Sequence, residues 1–262
     1  MHLRRHGTID IWMNESLGTV DKVLLFNENE HGHAGYLALR GLVGWNEPDA
    51  RITSHLINNI MFNQTIEPNK VGWEVYKVGD FALVNLNEWP NTTMFPIEES
   101  KSSWINAYPV VRDTLEFFKS LGASELKYIS TSSIHEMLDE EQFPQIDNES
   151  HRLIEYIEGA PQAEGGIFMT PPAWLFPHFA KLMGYEEATT SMFGFDEESP
   201  VNNEVGATIG SYLHETYDLL FDESMYEKAC DEMNTLTERV NNIQEQMEEL
   251  MKGKPANNTM WG

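Results

Sequence analysis

Residues 107–129 read AYPVVRDTLEFFKSLGASELKYI and contain the clearest fold signal in the chain. Apolar residues recur at helical spacing through the first part, and Gly122 follows where such a helix would end. Residues 125–129 then resume as a short run typical of a β-strand. A helix, a glycine and a short strand in this order form one half of a doubly wound unit. The stretch therefore predicts an α/β protein.

Other segments on both sides extend this alternation. Asp49 stands where the N-cap of a helix would be, and that helix would carry the apolar face of Ile52, His55, Leu56, Ile57 and Ile60. The remaining predicted elements are strands at 22–26, 36–44, 165–169 and 188–194, a strand pair at 73–78 and 81–86 around the Gly79-Asp80 turn, and helices at 172–183 and 202–221. The alternation favours a mainly parallel sheet sandwiched between helices.

A long helix with heptad spacing is predicted near the end of the chain. Its apolar stripe comprises Tyr226, Ala229, Met233, Leu236, Val240, Ile243, Met247 and Leu250. Such a stripe can pack on the protein's own body, or it can form a coiled coil between protomers. Because the opposite face of the helix is heavily acidic, the coiled coil stays open as an interpretation beside intrachain packing. We assign oligomerisation to Met233, Leu236, Val240, Ile243, Met247 and Leu250. Cys230 lies on the flank of this stripe as a small side chain.

These elements predict three parts in the chain: an α/β globular domain at 1–221, a coiled-coil-type helix at 222–251, and a flexible tail at 252–262. The tail runs through a polar spacer and ends in Met260-Trp261-Gly262. Large apolar side chains after a polar spacer suit a peptide that enters a groove of another protein, where the aromatic ring fills a pocket. A frayed end with a chance tryptophan is the alternative.

The charge balance restricts the class of partner. The 262 residues include 17 basic and 42 acidic side chains, so the formal net charge is −25. This charge would repel a phosphate backbone and an anionic membrane surface, and we expect neither nucleic acid nor membrane as a partner. Cys230 is the only cysteine, so no intrachain disulfide can form. Without an apolar leader or a bilayer-length segment, we expect a cytoplasmic protein.

The junction Gly44-Trp45-Asn46, inside residues 41–50, resembles a strand-to-helix junction of the proteasome assembly chaperone family. Other stretches resemble the same family in the same order, namely 87–90, 112–129, 165–167 and 222–229, so the similarity extends over roughly residues 22–250. The chain resembles prokaryotic and archaeal homologues of the second proteasome assembly chaperone. It departs from the pattern at Pro48 and in the acidic segment 136–150, which puts the function of these loops in doubt.

This resemblance implies an α/β sandwich akin to nucleoside phosphorylases and a protein that binds other proteins rather than turning over a substrate. Some members and regulators of the proteasome end in a hydrophobic residue, then a tyrosine or another aromatic residue, then any residue. That end inserts between α-subunits of the core particle, and its carboxylate meets a lysine. Met260-Trp261-Gly262 fits this pattern with tryptophan in place of tyrosine. The implied partners are therefore proteasome α-subunits and further copies of the chain, without a cofactor.

An enzyme is the competing hypothesis. Ser132, Ser133 and His135 follow a predicted strand, where ligands gather in open parallel sheets, and a serine near a histidine is the minimum for nucleophilic catalysis. A phosphorylase or hydrolase acting on a nucleoside-type ligand would need an anion-binding cation, for which Arg51, Arg112, Lys127 and Arg152 are the candidates. A role in a loop or a helix cap is the simpler explanation of the serine cluster. His31 and His33, with Glu28 or Glu30, could hold a metal only if a third ligand came from elsewhere.

Overall fold

A computed structural model describes residues 2–27, 33–54, 72–86, 97–133, 152–157, 171–195 and 201–252. Within these ranges the chain forms nine strands and five helices. In chain order they are β1 (His2–His6), β2 (Ile9–Met13), β3 (Lys22–Phe26), α1 (Ala34–Val43), β4 (Ala50–Ser54), β5 (Trp73–Val78), β6 (Phe81–Asn85), α2 (Ile97–Ser120), β7 (Glu125–Ser133), β8 (Arg152–Ile157), α3 (Pro171–Leu182), β9 (Glu187–Phe195), α4 (Asn203–Tyr217) and α5 (Glu223–Lys252).

The nine strands form one sheet in the order β1-β2-β4-β5-β6-β3-β7-β9-β8. Only the central pairs β6–β3, β3–β7 and β7–β9 are parallel, and the other five pairs are antiparallel. The sheet is therefore mixed, and the prediction of a mainly parallel sheet is wrong. Short turns after β1 and β5 join each strand to its neighbour, and a two-residue turn can connect only antiparallel strands.

Helices cover both faces of the sheet, as predicted. Val23 and Leu25 of β3 belong to a core cluster that includes side chains of α2 and α3. Leu24 and Phe26 belong to a second cluster that includes α1 and α4. Successive side chains of a strand point to opposite faces, so β3 contributes to both cores. The result is a three-layer α/β/α sandwich, with α2 and α3 on one side and α1 and α4 on the other.

The segment 36–44 was predicted as a strand, and this prediction is wrong because the segment lies within helix α1. Eight of the ten residues of α1 are buried, since the helix packs between the sheet on one side and α4 and α5 on the other. The helix is only ten residues long and consists mostly of leucine, alanine, glycine and valine. Its short apolar run therefore has the same appearance in the sequence as a buried strand.

The helix predicted after Asp49 is also wrong in its first part, because Ala50–Ser54 is strand β4, between β2 and β5. Asp49 does not cap a helix; its carboxylate accepts a hydrogen bond from the backbone N–H of Lys77, at 2.7 Å. The other residues assigned to that helix, His55, Leu56, Ile57 and Ile60, lie outside the described residues. Segment 50–54 is a strand because it pairs with β2 on one side and β5 on the other. This pairing depends on residues that are distant in the chain, so the local sequence does not reveal it.

Other predictions are confirmed with small shifts at the ends: strand 22–26, the β5–β6 hairpin, helices α3 and α4, and strand β9. The α2–β7 unit is also confirmed, although α2 begins at Ile97, ten residues before the predicted start at Ala107. The strand predicted at 165–169 lies outside the described residues. The β1–β2 hairpin and strand β8 were not predicted.

The unpredicted β1–β2 hairpin is attached to α2 at its turn. The backbone N–H and the hydroxyl of Thr8 both donate to the carboxylate of Asp113, the hydroxyl at 2.7 Å, and a side chain at Gly7 would overlap that carboxylate. Burial of Asp113 raises its pKa, but the bonds from Thr8 and from the Arg112 guanidinium outweigh burial and hold the pKa below its usual range. A charged carboxylate therefore holds the edge of the sheet against α2.

Candidate protein-binding helix and groove

Helix α5 begins on the surface of α1. The backbone N–H of Asp222 donates to the carbonyl of Gly41 at 2.8 Å, and the Asp222 carboxylate accepts from the backbone N–H groups of Ser224 and Met225. Hydrogen bonds from the Ser224 side chain and from these amides lower the pKa of Asp222, because they favour its charged form. Asp222 therefore acts as an N-cap that fixes where α5 leaves the body.

Phe221, directly before this cap, fits between two helical glycines. A Cβ at Gly41 of α1 or at Gly210 of α4 would lie 2.6 Å from Cζ of the Phe221 ring. One helix turn later, the buried Tyr226 donates its hydroxyl to the backbone carbonyl of Asn203. These contacts hold the first turns of α5 against α1 and α4.

The apolar stripe of α5 divides into two parts with different surroundings. Tyr226, Ala229 and Cys230 are buried in a cluster with α1 and α4, and Met233 packs against its edge. Burial raises the pKa of the Cys230 thiol, which lies inside the contact rather than on a flank. Farther on, the exposed fractions are 54% for Leu236, 45% for Val240, 57% for Ile243 and 53% for Met247.

Packing on the protein's own body therefore accounts for the first half of the stripe only. The first half packs on the protein's own body, and the second half presents apolar side chains that nothing in the described residues covers. Leu250 lies within the helix, near its end. Oligomerisation through the second half is untested and stays a prediction, as does the division of the chain at residues 221 and 251.

The Gly44-Trp45-Asn46 junction ends α1 and places an aromatic ring beside α5. Gly44 has φ of 59°, and its N–H donates to the carbonyl of Arg40 at 2.7 Å. The side-chain amide of Asn46 donates to the carbonyl of Val43, also at 2.7 Å. These bonds satisfy the end of the helix and turn the chain sharply, so that Trp45 lies outside with 41% of its surface exposed. The junction is a helix end, not the strand-to-helix junction that the resemblance implied.

Trp45 rests on a buried polar network. The Arg40 guanidinium lies 5.1 Å from the Trp45 ring centre, and its nitrogens contact the Tyr76 hydroxyl at 3.2 Å and the Glu74 carboxylate at 3.4 Å. Arg51 approaches the other oxygen of Glu74 at 3.0 Å. Burial lowers the pKa of Arg40, but the neighbouring tyrosines and Glu74 outweigh burial and raise it. Arg40 is thus held as a fixed cation beneath the tryptophan.

A groove of about 540 Å³ lies between Trp45 and α5. Its lining includes Tyr36 and Trp45 on the α1 side, and Lys228, Met233, Leu236 and Arg239 on α5. The Lys228 ammonium lies over the Trp45 ring, 5.3 Å from its centre, in a cation–π contact. The groove combines aromatic and aliphatic surface with two cations and with two carboxylates, Asp231 and Glu232. Its exposed aromatic, methionine and arginine side chains are of the types enriched in protein interfaces.

The residues proposed for catalysis do not form a site in the described part of the chain. Ser132 and Ser133 end strand β7, and His135 lies outside the described residues. Three of the proposed anion-binding cations are engaged elsewhere: Arg112 binds Asp113, Arg51 binds Glu74, and the buried Lys127 donates to the Tyr212 hydroxyl at 2.7 Å. The fourth, Arg152, begins strand β8.

The other proposed sites are only partly described. His33 precedes α1, whereas Glu28, Glu30 and His31 lie outside the described residues. Among the residues that are described, no group of three or more histidine, cysteine or acidic side chains could hold a metal ion. Met260, Trp261 and Gly262 also lie outside them. No described helix is long and apolar enough to cross a bilayer.

Comparison with known proteins shows which solved structures share this fold. No protein-family model matches the chain, and no curated protein is similar to it in sequence. Among solved structures, PbaB of Pyrococcus furiosus, an archaeal proteasome activator, matches with a TM-score of 0.56 and 15% identity over 90% of this chain and 99% of that chain. PbaA of the same organism, an archaeal homologue of proteasome-assembly chaperone, matches with a TM-score of 0.56 and 13% identity over 93% and 99%.

A protein of unknown function from Thermoplasma acidophilum also matches, with a TM-score of 0.53 and 15% identity over 90% of each chain. The structural matches show a shared fold, and at these low sequence identities they show the fold alone. The chain is thus an α/β/α sandwich with the fold of archaeal proteasome-assembly chaperone homologues. At the level of the fold, the resemblance inferred from the sequence is confirmed.

The sequence analysis predicted neither the groove nor the packing of Phe221 against Gly41 and Gly210. The groove depends on Trp45 and α5, which are far apart in the chain and meet only in the fold. Gly206 and Gly210 share one face of α4 and did give a signal, because glycines at helical spacing mark a close approach of another element. Gly210 lies against Phe221, and Gly206 lies against Tyr226.

Proposed function

We propose that this protein is a protein-binding module of the proteasome assembly chaperone type, which forms homo-oligomers through α5 and binds α-subunits of the proteasome core particle. The observation that carries the proposal is the exposed apolar stripe on the second half of α5, on a fold shared with PbaA and PbaB. Exposed apolar residues repeated along one helix face are typical of a surface that another protein covers.

The activity of these relatives supports protein binding over catalysis. One is a proteasome activator and the other a homologue of an assembly chaperone. The enzymatic alternative required a cation at the sheet end, and Arg51, Arg112 and Lys127 are all bonded to other groups. Three of the four candidate cations therefore give no support to a phosphorylase or hydrolase.

Oligomerisation is tested by charging the stripe. Replacing Val240 and Ile243 with aspartate should raise the dissociation constant of the oligomer by roughly a hundredfold or more, because each buried aliphatic side chain contributes about 1.5–3 kcal/mol. Size-exclusion chromatography with light scattering measures the mass. The body should stay folded by circular dichroism, since both side chains are exposed in the single chain.

The matched control places the same charges on a polar face of the same helix. Asn241 and Asn242 are exposed, so replacing both with aspartate should leave the mass unchanged. A wild-type protein that is monomeric at all concentrations, or a charged stripe that leaves the mass intact, would contradict oligomerisation through α5.

The tail is tested by its binding to core particles. In the proposal, Met260-Trp261-Gly262 docks between α-subunits, with the tryptophan in the pocket and the carboxylate on a lysine. Replacing Met260 and Trp261 with serine should abolish co-purification of α-subunits, because the apolar side chains supply the binding energy. Replacing Asn257 and Asn258 with serine is the control and should retain it. Undiminished co-purification after the first change would refute docking through the tail.

A further inference from the structure

We propose that the groove between Trp45 and α5 receives the second half of α5 from another copy of the chain, with Trp45 as the anchor of this contact. The inference rests on the proposed homo-oligomer and specifies which surface of the body takes part in it. It assigns the Gly44-Trp45-Asn46 junction a role in assembly in addition to ending α1.

The groove is formed before any partner arrives. Gly44 and Asn46 fix the turn by hydrogen bonds, and the Trp45 ring contacts two cations, with Arg40 at 5.1 Å and Lys228 at 5.3 Å from its centre. A large aromatic side chain held in one place loses little conformational entropy on binding. Partly exposed tryptophans in preformed clefts are the residues that dominate interface energies.

The groove and the exposed stripe form one continuous surface. Met233 and Leu236 belong to the stripe and also line the groove. From Leu236 to Met247 the stripe extends for about 16 Å along the helix. A partner helix that covers Leu236 therefore meets the groove wall on its way along α5, and both surfaces would be buried in the same contact.

A second copy of α5 fits as the occupant. It is an amphipathic helix with uncovered Val240, Ile243 and Met247, whose size suits a cleft lined by aromatic and aliphatic side chains. The same half of α5 carries Glu238, Glu245, Glu248 and Glu249 beside its stripe. On the groove wall Lys228 lies 3.9 Å from Glu232 of the same helix, so Arg239 is the cation that such a carboxylate would meet.

The net charge of −25 on each copy gives this contact a distinctive salt dependence. Two strongly acidic bodies repel each other, and salt shortens the range of that repulsion from about 30 Å at 0.01 M to about 8 Å at 0.15 M. Because the contact itself is mainly apolar, association should strengthen over this range of salt. A foreign segment held mainly by Lys228 and Arg239 would instead bind less tightly.

Two variants test the groove without touching the exposed stripe. Thr235→Arg fills the groove from an exposed position on α5, and Trp45→Ala removes the anchor. Each should raise the dissociation constant of the oligomer at least about tenfold, as measured by analytical ultracentrifugation at 0.15 M salt. Asn234→Arg is the matched control, because this exposed neighbour is not part of the groove lining, and it should behave as wild type.

The outcomes separate this inference from the proposed function. If charging Val240 and Ile243 dissociates the oligomer while Thr235→Arg and Trp45→Ala do not, the stripe assembles copies and the groove lies outside the contact. Association that weakens as salt rises would likewise overturn a second copy as the occupant. Dissociation by both groove variants, with Asn234→Arg unchanged, supports it.

Discussion

Replacing Glu74 with leucine is expected to lower the free energy of unfolding by about 3–5 kcal/mol, the cost of leaving a buried charge without its partner. Glu74 is buried and accepts from Arg51 at 3.0 Å, from the Tyr76 hydroxyl at 2.8 Å and from Arg40 at 3.4 Å. Leucine has a similar volume but cannot accept a hydrogen bond. Two guanidinium groups would then remain in a poorly hydrated site without their shared carboxylate.

Urea unfolding followed by circular dichroism measures this loss. Glu74→Gln is the control, because it keeps an acceptor for Tyr76 and removes only the charge, so its loss should be smaller. The double variant Glu74→Leu with Arg40→Met should recover part of the stability, since it removes one of the stranded cations. A loss below about 1 kcal/mol for Glu74→Leu would show that the network contributes little.

Replacing Gly41 with alanine is expected to lower the free energy of unfolding by about 2 kcal/mol, because the overlap is severe enough to reach the upper end, about 3 kcal/mol, of the usual cost of overpacking. The usual preference of a helix for alanine over glycine, about 1 kcal/mol, acts in the opposite direction and is outweighed. The new Cβ would lie 2.6 Å from Cζ of Phe221, and Gly210 approaches the same edge of the ring, so the ring has little room to move away. Displacing Phe221 also loosens the start of α5.

Two further variants test whether overlap with the Phe221 ring causes the loss of stability in Gly41→Ala. Gly35→Ala in the same helix should be neutral or stabilising, because its Cβ would meet nothing nearer than the carbonyl oxygen of Asn27 at 3.7 Å. In a Phe221→Ala background, Gly41→Ala should no longer destabilise the protein, because the overlap is gone. A Gly41→Ala penalty that persists without the ring would contradict this explanation.

The extent to which the sequence predicted the site differs from residue to residue. The repeat from Tyr226 to Leu250 was sufficient to predict α5, because helical periodicity is a property of neighbouring residues. It could not show that Ala229 would be buried and Val240 exposed, because both are apolar at equivalent positions. That difference arises where α1 and α4 end alongside the helix, which is a matter of tertiary packing.

Local patterns in this chain were enough for the α/β class, the β5–β6 hairpin and the α2–β7 unit, since a two-residue turn or an amphipathic face is defined within a few residues. Strand direction and the nature of the segments 36–44 and 50–54 were decided only in the folded protein. Pairing between β4 and its two neighbours made one segment a strand. The other is a short apolar run, and such a run is equally compatible with a buried strand and a buried helix until its packing is known. The groove at Trp45 exists only because residues almost 200 positions apart, Trp45 and Lys228, pack against each other, and no local pattern encodes such a contact.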